Sequence, residues 1–160
     1  MNWFRDMEIQ SIKVNANSNA TESVSKIQTC LSNLISSFNP KSLTKKVVIG
    51  GYGNPITTME YHSDEKDQNF LILNTIAERL SIHDKLQFLD ELEKRINSKG
   101  VLYIRFSKRL LAQNKIAISS QSDSIRMLIK FTLHNHRFDI KKNFRELKEF
   151  LSGIGIIEDK

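Results

Sequence analysis

The chain has 160 residues and a mass of 18.5 kDa, which is the usual size of a single domain. Hydrophobic residues make up 39% and charged residues 26%, with two prolines and six glycines, and this excludes a collagen-like or linker-like chain. The single cysteine, Cys30, excludes an intrachain disulfide and a zinc framework built on cysteine pairs. No apolar run reaches the roughly 18 residues that a membrane span needs, so we expect a folded, cytoplasmic protein with no membrane partner.

Positive charge is concentrated in the second half of the chain. The formal net charge is +6 and the pI is about 9.5. Between Lys99 and Lys148 twelve lysines and arginines accompany three acids, so that stretch is +9 and the rest of the chain is −3. A field polarised in this way is compatible with a polyanionic partner.

Hydrophobic periodicity predicts the elements of the first half. In chain order these are a strand over 8–15, a helix from 21 to 38, a hairpin of strands 46–49 and 56–62, and helices over 63–80 and 81–96. Asn19 or Thr21 is available to cap the first helix, and Asn39-Pro40 ends it because proline lacks a backbone donor. Ser81 and Asp84 have the spacing of a capping box.

The second half predicts an antiparallel meander and a closing helix. After Gly100, a candidate left-handed cap, strands are expected over 101–107, 115–119 and 125–133, and a last helix ends at Gly153. The predicted order is β-α-β-β-α-α-β-β-β-α, an α+β fold with an antiparallel or mixed sheet of five to six strands backed by helices. We expect residues 1–137 to form a single domain, and 138–160 to be a helix and frayed tail that packs on it or extends from it.

No catalytic constellation is recognisable. The loop Gly50-Gly51-Tyr52-Gly53 resembles a phosphate loop but leads through Pro55 into a strand, so it lacks the helix whose N-terminus would bind an anion. His134 and His136 could begin a metal site, but a third ligand is not identifiable. We therefore expect a non-enzymatic protein without a metal or cofactor.

A cluster of basic and aromatic residues is the strongest candidate for a binding site. Arg105, Lys108, Arg109 and Lys115 fall within eleven positions. Tyr52 and Tyr103 could lie near them if the glycine loop packs beside this strand. Basic groups contact phosphates and exposed aromatic rings stack on bases, a combination that suits RNA. A solvated strand edge protected by lysines is an equally good interpretation of composition alone.

Three segments in matching order resemble an archaeal family described as predicted RNA-binding, exosome-associated proteins. They are Tyr52-Gly53-Asn54-Pro55-Ile56, the stretch from Leu102 to Lys108, and the stretch from Ile125 to Phe131. Ala20-Thr21-Glu22 followed by Val24 also resembles that family's entry into its first helix. The resemblance extends from about Ile9 to about His134.

The resemblance implies an α+β domain likened to a double-stranded-RNA-binding or ribosomal-protein-like fold, with no catalytic activity. Its matching positions are the glycine-loop residues 51–55 and the basic residues Arg105 and Lys108. Two positions depart from the family pattern: Ser107 stands where an acidic residue is often expected, and Asn114 stands where a glycine is expected. These departures concern the geometry of the turn more than its charge.

The predicted function is non-catalytic RNA binding, as an accessory to RNA processing or degradation. The predicted RNA-binding residues are Tyr52, Gly53, Asn54, Tyr103, Arg105, Lys108, Arg109 and Lys115. The partners expected are RNA and an RNA-processing complex, and a homodimer is compatible with the sequence. The alternative is an interaction module that docks through the apolar face of its last helix, which carries Phe144, Leu147, Phe150 and Leu151.

Overall fold

The fold is an antiparallel sheet with helices packed on it, and a computed structural model describes residues 7–133 and 137–158. Its strands are β1 Met7–Ser18, β2 Leu43–Ile49, β3 Pro55–Ser63, β4 Val101–Phe106 and β5 Ile125–Leu133. Its helices are α1 Val24–Leu34, α2 Lys66–Arg79, α3 Ile82–Asp90, α4 Leu92–Arg95, α5 Lys108–Ala112 and α6 Ile140–Ile154, with a 3-10 turn at Pro40–Ser42. None of the helices in these ranges is long and apolar enough to cross a membrane.

The five strands lie in the order β2-β3-β1-β5-β4, and every neighbouring pair is antiparallel. The expected α+β class and strand count are confirmed. The 12-residue strand β1 is the centre of the sheet and contacts α1, α2 and α6. The long central strand therefore holds the helical layer and the sheet together.

Alternation along the strands separates two faces of the sheet. On the inner face Ile12, Val14, Ile104 and Met127 are buried beneath the helices in one hydrophobic core. A bulge between Ile9 and Ser11 lets the start of β1 stay in the same core despite the change in register. The opposite side, which we name the outer face, carries the intervening side chains of all five strands.

Helix α1 is shorter than its apolar spacing predicts. It begins at Val24, and its N-cap is Ser23, whose hydroxyl accepts a hydrogen bond from the amide of Lys26 at 3.4 Å, so the caps predicted at Asn19 and Thr21 are wrong. It ends at Leu34, four residues before Phe38. The apolar periodicity continues past the helix because Ile35 and Phe38 still pack on the core, although the chain between them makes a turn in which Ser37 has φ +57°.

The predicted helix over 81–96 is two helices that meet at Glu91. Ser81 caps α3 as expected, with its hydroxyl accepting from the amide of Asp84 at 3.1 Å. The reciprocal half of the capping box does not appear, because the Asp84 carboxylate accepts the amide of Ile118 at 3.1 Å instead. Asp84 thereby attaches a distant loop to the start of α3.

The strand predicted over 115–119 is wrong. The chain after β4 forms the five-residue helix α5 and then a loop whose only ladder pairing among the described residues is an isolated bridge between Ile118 and Phe106. The Arg79 guanidinium holds the loop by donating to the backbone carbonyl and side-chain oxygen of Asn114 at 2.7 and 3.0 Å. Side chains thus bind backbone groups that a strand would have paired with a neighbouring strand.

The two departures from the family pattern have simple structural reasons. Ser107 is the N-cap of α5, and its hydroxyl accepts the amide of Leu110 at 3.2 Å, a task that serine and aspartate both perform. Asn114 has φ +58°, in the left-handed region that glycine and asparagine adopt most easily.

Gly100 precedes β4 in a close contact with the C-terminal segment. It has φ +83°, and a Cβ at this position would lie 3.0 Å from the ring of Phe138 and 3.2 Å from the carbonyl oxygen of Phe131. The positive φ expected at Gly100 is confirmed, but α4 ends five residues earlier, so Gly100 shapes the turn into β4 rather than capping a helix.

Gly100→Ala is expected to lower the free energy of unfolding by about 2–3 kcal/mol, because a left-handed conformation and a tight contact are both unfavourable for alanine. Urea unfolding followed by circular dichroism measures this loss. Gly51→Ala is the matched control, since nothing lies within 4 Å of its Cβ position and its φ is not in the left-handed region. Equal stability of the two variants would contradict the packing described for Gly100.

Helix α6 packs its apolar face on the core. Leu147, Phe150 and Leu151 are buried and Phe144 is partly buried against them. The helix ends at Ile154, one residue beyond the predicted end, because Gly155 adopts the left-handed conformation with φ +97°. His134 and His136 lie outside the described residues.

Candidate nucleic-acid interface

A cleft of about 550 Å³ crosses the outer face of the sheet. The helices of the described residues bury their side chains in the core on the inner face, which leaves this side open. Residues of all five strands line this cleft. They are Thr44 and Lys46 of β2, Thr58, Met59 and Glu60 of β3, Asn15, Ala16 and Asn17 of β1, Arg126 of β5 and Arg105 of β4, together with Ser122 and Ser124 of the loop before β5. We name it the arginine cleft.

Two arginines lie directly opposite one another in this cleft. Arg105 of β4 pairs in register with Arg126 of β5 on the outer face. Like charges opposite each other across two strands are destabilising. Neither guanidinium forms an ion pair or hydrogen bond with any residue that the structure describes. Both are therefore available to a ligand with negative charge.

Positive charge continues toward the other edge of the sheet. Lys46 of β2 is exposed and lies opposite Thr58, which lies opposite Asn17. Glu60 is the single acid lining the cleft, and it is two strands away from Arg126, which corresponds to about 10 Å. Side chains with hydroxyl or amide groups form the rest of the wall, apart from Ala16 and Met59. Such a surface offers charged and neutral donors to phosphate and sugar oxygens.

A half-buried apolar strip lies beside the arginines. Tyr103 of β4 is directly opposite Leu128 of β5, and Lys13 of β1 is on the other side of Leu128. The Tyr103 hydroxyl lies 3.3 Å from the side-chain nitrogen of Asn97, which donates to it. The aromatic ring is thereby held at the edge of the open face, next to Arg105 in sequence order on the same strand.

The glycine loop lies at the opposite edge of the sheet from Arg105. It is the tip of the β2–β3 hairpin, closed by a hydrogen bond of 2.8 Å from the Gly50 amide to the Asn54 carbonyl. Strands β1 and β5 separate this hairpin from β4, so the condition under which Tyr52 would lie near Arg105 is not met. Gly53 has φ +78°, and Tyr52 is 98% exposed at the tip.

Lys108 points into the protein rather than into solvent. Its side chain is only 9% exposed, and its ammonium group lies 2.7 Å from Asp123, 3.3 Å from Glu22 and 2.7 Å from the carbonyl oxygen of Asn17. These contacts join the end of β1, the start of α1 and the loop before β5. The ammonium group of Lys108 is thereby occupied by partners within the fold.

Cys30 lies beneath this ion-pair cluster. Its thiol donates to the backbone carbonyl of Lys108 at 3.5 Å. Burial raises the pKa of the Cys30 thiol, and the nearby Lys108 ammonium acts in the opposite direction. The thiol is therefore protonated at neutral pH and behaves as a small core residue.

Arg109 and Lys115 are exposed and lie away from the arginine cleft. Arg109 borders a separate cleft of about 830 Å³, shared with Lys26 of α1 and with Ser119 and Ser120. Lys115 follows α5, where its amide donates to the Leu110 carbonyl at 2.8 Å. The structure thus divides the eight predicted residues between the outer face, the hairpin tip, a buried ion-pair cluster and the side of α5.

Sequence analysis missed Arg126, Lys46 and Lys13. The signal for Arg126 was present, because strict alternation in β5 places it opposite to the core residues. Arg126 lies beside Arg105 because β5 is next to β4 in the sheet, and no local sequence pattern encodes the order of the strands. No group of three histidine, cysteine, aspartate or glutamate side chains able to hold a metal ion occurs in the described residues.

An open sheet face lined by basic side chains is typical of proteins that bind nucleic acid. A family model described as RNA binding matches residues 11–131, and the chain belongs to this RNA-binding family. The matched span includes all of β2, β3 and β4. It also includes β1 without its first residues and β5 without its last residues.

This chain is similar to several archaeal proteins. RNA-binding protein PAB1135 of Pyrococcus abyssi (strain GE5 / Orsay) is 24% identical over 152 residues, which cover 92% of this chain and 96% of that protein. A solved structure of a DUF54 protein from Methanothermobacter thermautotrophicus superimposes with a TM-score of 0.72 at 22% identity, over 91% of this chain and 99% of that one. Protein AF2318 from Archaeglobus fulgidus gives a TM-score of 0.76 at 23% identity, over 89% and 99% of the two chains. These two structures share the fold of this chain.

Proposed function

We propose that this protein binds RNA through the arginine cleft, where Arg105 and Arg126 contact phosphates and Lys46 extends the contact across the sheet. The single observation that carries the proposal is the register pairing of the two arginines without an acidic partner among the described residues. A guanidinium is suited to phosphate because its donors form a planar fork. A phosphate between the two groups would remove their mutual repulsion.

The hairpin tip supplies a second kind of contact in this proposal. Tyr52 is almost fully exposed and can stack on an unpaired base, while Gly53 and Asn54 keep the tip narrow enough to approach RNA. Along β3 the tip is about 20 Å from the row of Glu60, which corresponds to six residues of extended strand. The two contacts would therefore engage separate nucleotides of one molecule.

Arg109 and Lys115 contribute to the proposed activity through the general positive field of the protein. Both are exposed, and neither lines the arginine cleft. Field effects of this kind accelerate association with a polyanion and weaken as salt rises. Lys108 is left out of the proposed contacts because two carboxylates already neutralise it.

We further propose that the protein acts without catalysis, as an accessory to RNA processing or degradation associated with an exosome. The support is the resemblance of the glycine loop and the two strand segments to exosome-associated proteins. The arginine cleft also offers donors for phosphate and sugar oxygens rather than a paired acid and base. Docking through α6 has less support, because Leu147, Phe150 and Leu151 are occupied by the core of the same chain.

Binding of fluorescent RNA across a salt series tests the proposal. If three to five phosphates are neutralised, the logarithm of the association constant should fall with the logarithm of salt concentration with a slope of about −2 to −4.5. Fluorescence anisotropy between low and moderate salt measures this slope. Absence of binding at low salt, or binding that salt does not weaken, would contradict RNA recognition through phosphates.

A further inference from the structure

A second cationic cluster lies at the end of the sheet where α6 begins. It lines a cleft of about 990 Å³ together with Ser98, Thr132, Phe138 and Asp139, and its basic members are Lys99, Lys130, Arg137, Lys141 and Lys142. The Lys130 ammonium donates to the backbone carbonyl of Lys99, which draws these two residues together. We name these five residues the terminal cluster.

The one acid of this cleft does not neutralise the cluster. Asp139 is the N-cap of α6, and its carboxylate accepts the backbone amide of Lys141 at 3.0 Å. No ion pair joins it to Lys99, Lys130 or Arg137 within the described residues. Four of the five cations are exposed, and Lys130 is half-buried. The terminal cluster therefore carries strong positive charge that the fold itself does not use in ion pairs.

Strand β5 connects the terminal cluster to the arginine cleft. Arg126 and Lys130 both belong to the outer face of this strand and are four residues apart, which corresponds to about 13 Å. Leu128 lies between them, with Tyr103 directly opposite on β4. The open face thus presents positive charge, an apolar and aromatic strip, and positive charge again along one line.

We propose that a single strand of RNA lies along β5, with phosphates at the arginine cleft and the terminal cluster and an unpaired base against Tyr103 and Leu128. This inference rests on the proposed function and deepens it by naming the strandedness of the ligand and a second phosphate site. A single strand can turn its base toward an aromatic ring while its backbone remains near the cations. In a duplex the base faces are stacked within the helix, so the strip between the two charged sites would have no partner.

The dependence of affinity on RNA length distinguishes the arginine cleft from the terminal cluster. We choose a diuridylate, whose single internucleotide phosphate cannot reach both sites, and an oligouridylate of about twelve nucleotides, a length within the range of single-strand sites. Lys141→Ala/Lys142→Ala should weaken binding of the longer strand and flatten its salt slope by about 1.4, at about 0.7 per lost contact. Binding of the shorter strand, which the arginine cleft alone can hold, should change by less than about two-fold. Lys26→Ala/Lys94→Ala removes the same charge from exposed helix positions and should change the affinity for either length by less than about two-fold.

Substitutions of Tyr103 test whether a base stacks on the apolar strip between the two phosphate sites. Tyr103→Leu should reduce affinity for the longer strand by about 5- to 150-fold, the range expected for loss of one stacked base, and Tyr103→Phe should retain most of it. The matched duplex should bind at least about ten-fold more weakly than the single strand. Thermal melting of each variant confirms that the fold is intact before binding is compared.

The outcomes distinguish this inference from the proposed function. Equal affinity for duplex and single strand, or no effect of Tyr103→Leu, would overturn the single-strand placement while leaving salt-dependent RNA binding intact. No effect of Lys141→Ala/Lys142→Ala on the longer strand would remove the terminal cluster from the site. Failure of every RNA to bind at low salt would overturn the proposed function itself.

Discussion

Arg105→Ala/Arg126→Ala is expected to reduce RNA affinity by at least about 100-fold, because each hydrogen-bonded contact to a charged group contributes about 1.5–3 kcal/mol. The salt slope should flatten by about 1.4 to 1.8 when two phosphate contacts are lost. The free energy of unfolding should stay unchanged or rise slightly, since the substitution removes two like charges that face each other across β4 and β5. Anisotropy titrations across a salt series and urea unfolding measure the two quantities on the same protein.

Lys26→Ala/Lys94→Ala is the matched control for the arginine pair. It also lowers the net charge by two, but both lysines are exposed on helices and line no part of the arginine cleft. This double variant should lose only the affinity that comes from weak, long-range attraction between the charge of the protein and RNA. Arg105→Lys adds a second comparison, because it keeps the charge and loses the planar fork. Equal losses in the arginine and lysine double variants would show that only net charge matters and would contradict a specific cleft.

Lys108→Met is expected to lower the free energy of unfolding by about 2 kcal/mol, below the 3–5 kcal/mol of a fully buried pair because Asp123 is 62% exposed. The change leaves the carboxylates of Glu22 and Asp123 and the carbonyl of Asn17 converging on an apolar side chain. A loss of that size corresponds to a fall of about 4–8 °C in Tm for a domain of this length. RNA affinity, measured well below Tm, should remain within about two-fold of the wild-type value.

Two further variants test whether Lys108 stabilises the fold through its ion pairs with Glu22 and Asp123. Lys115→Met removes the same charge from an exposed position shortly after α5 and should change stability by less than about 0.5 kcal/mol. Lys108→Met/Asp123→Asn should recover part of the lost stability, because it removes one of the two unpaired carboxylates. A Lys108→Met protein that is as stable as wild type but fails to bind RNA would make Lys108 a ligand and reject its structural role.

Local sequence patterns predicted those helices and strands whose apolar side chains meet the core at a regular spacing along the chain. Alternation alone places Leu102, Ile104 and Phe106 on one side of β4 and Tyr103 and Arg105 on the other, because successive side chains of a strand point to opposite sides. The same alternation separates the two sides of β5. The turn chemistry of Gly100 and the N-cap at Ser81 were also readable, since each depends on a residue's own backbone preference.

The segment after β4 shows where local patterns fail. The apolar residues over 115–119 predicted a strand, whereas the chain there is a loop that follows α5 and is held by Arg79 and Asp84. These two partners come from helices 30 or more residues earlier in the chain. A side chain that captures a backbone group at such a distance leaves no periodic signal in the segment it captures.

The sequence by itself determined the class of fold, the faces of its strands, the excess of positive charge and the candidate residues Tyr103 and Arg105. Only the tertiary structure decided that Arg105 adjoins Arg126, that the glycine loop lies at the far edge of the sheet, and that Lys108 is neutralised by Glu22 and Asp123. The physical reason is that periodicity and capping are local, whereas strand order and ion pairing between distant residues are set by how the whole chain buries its core.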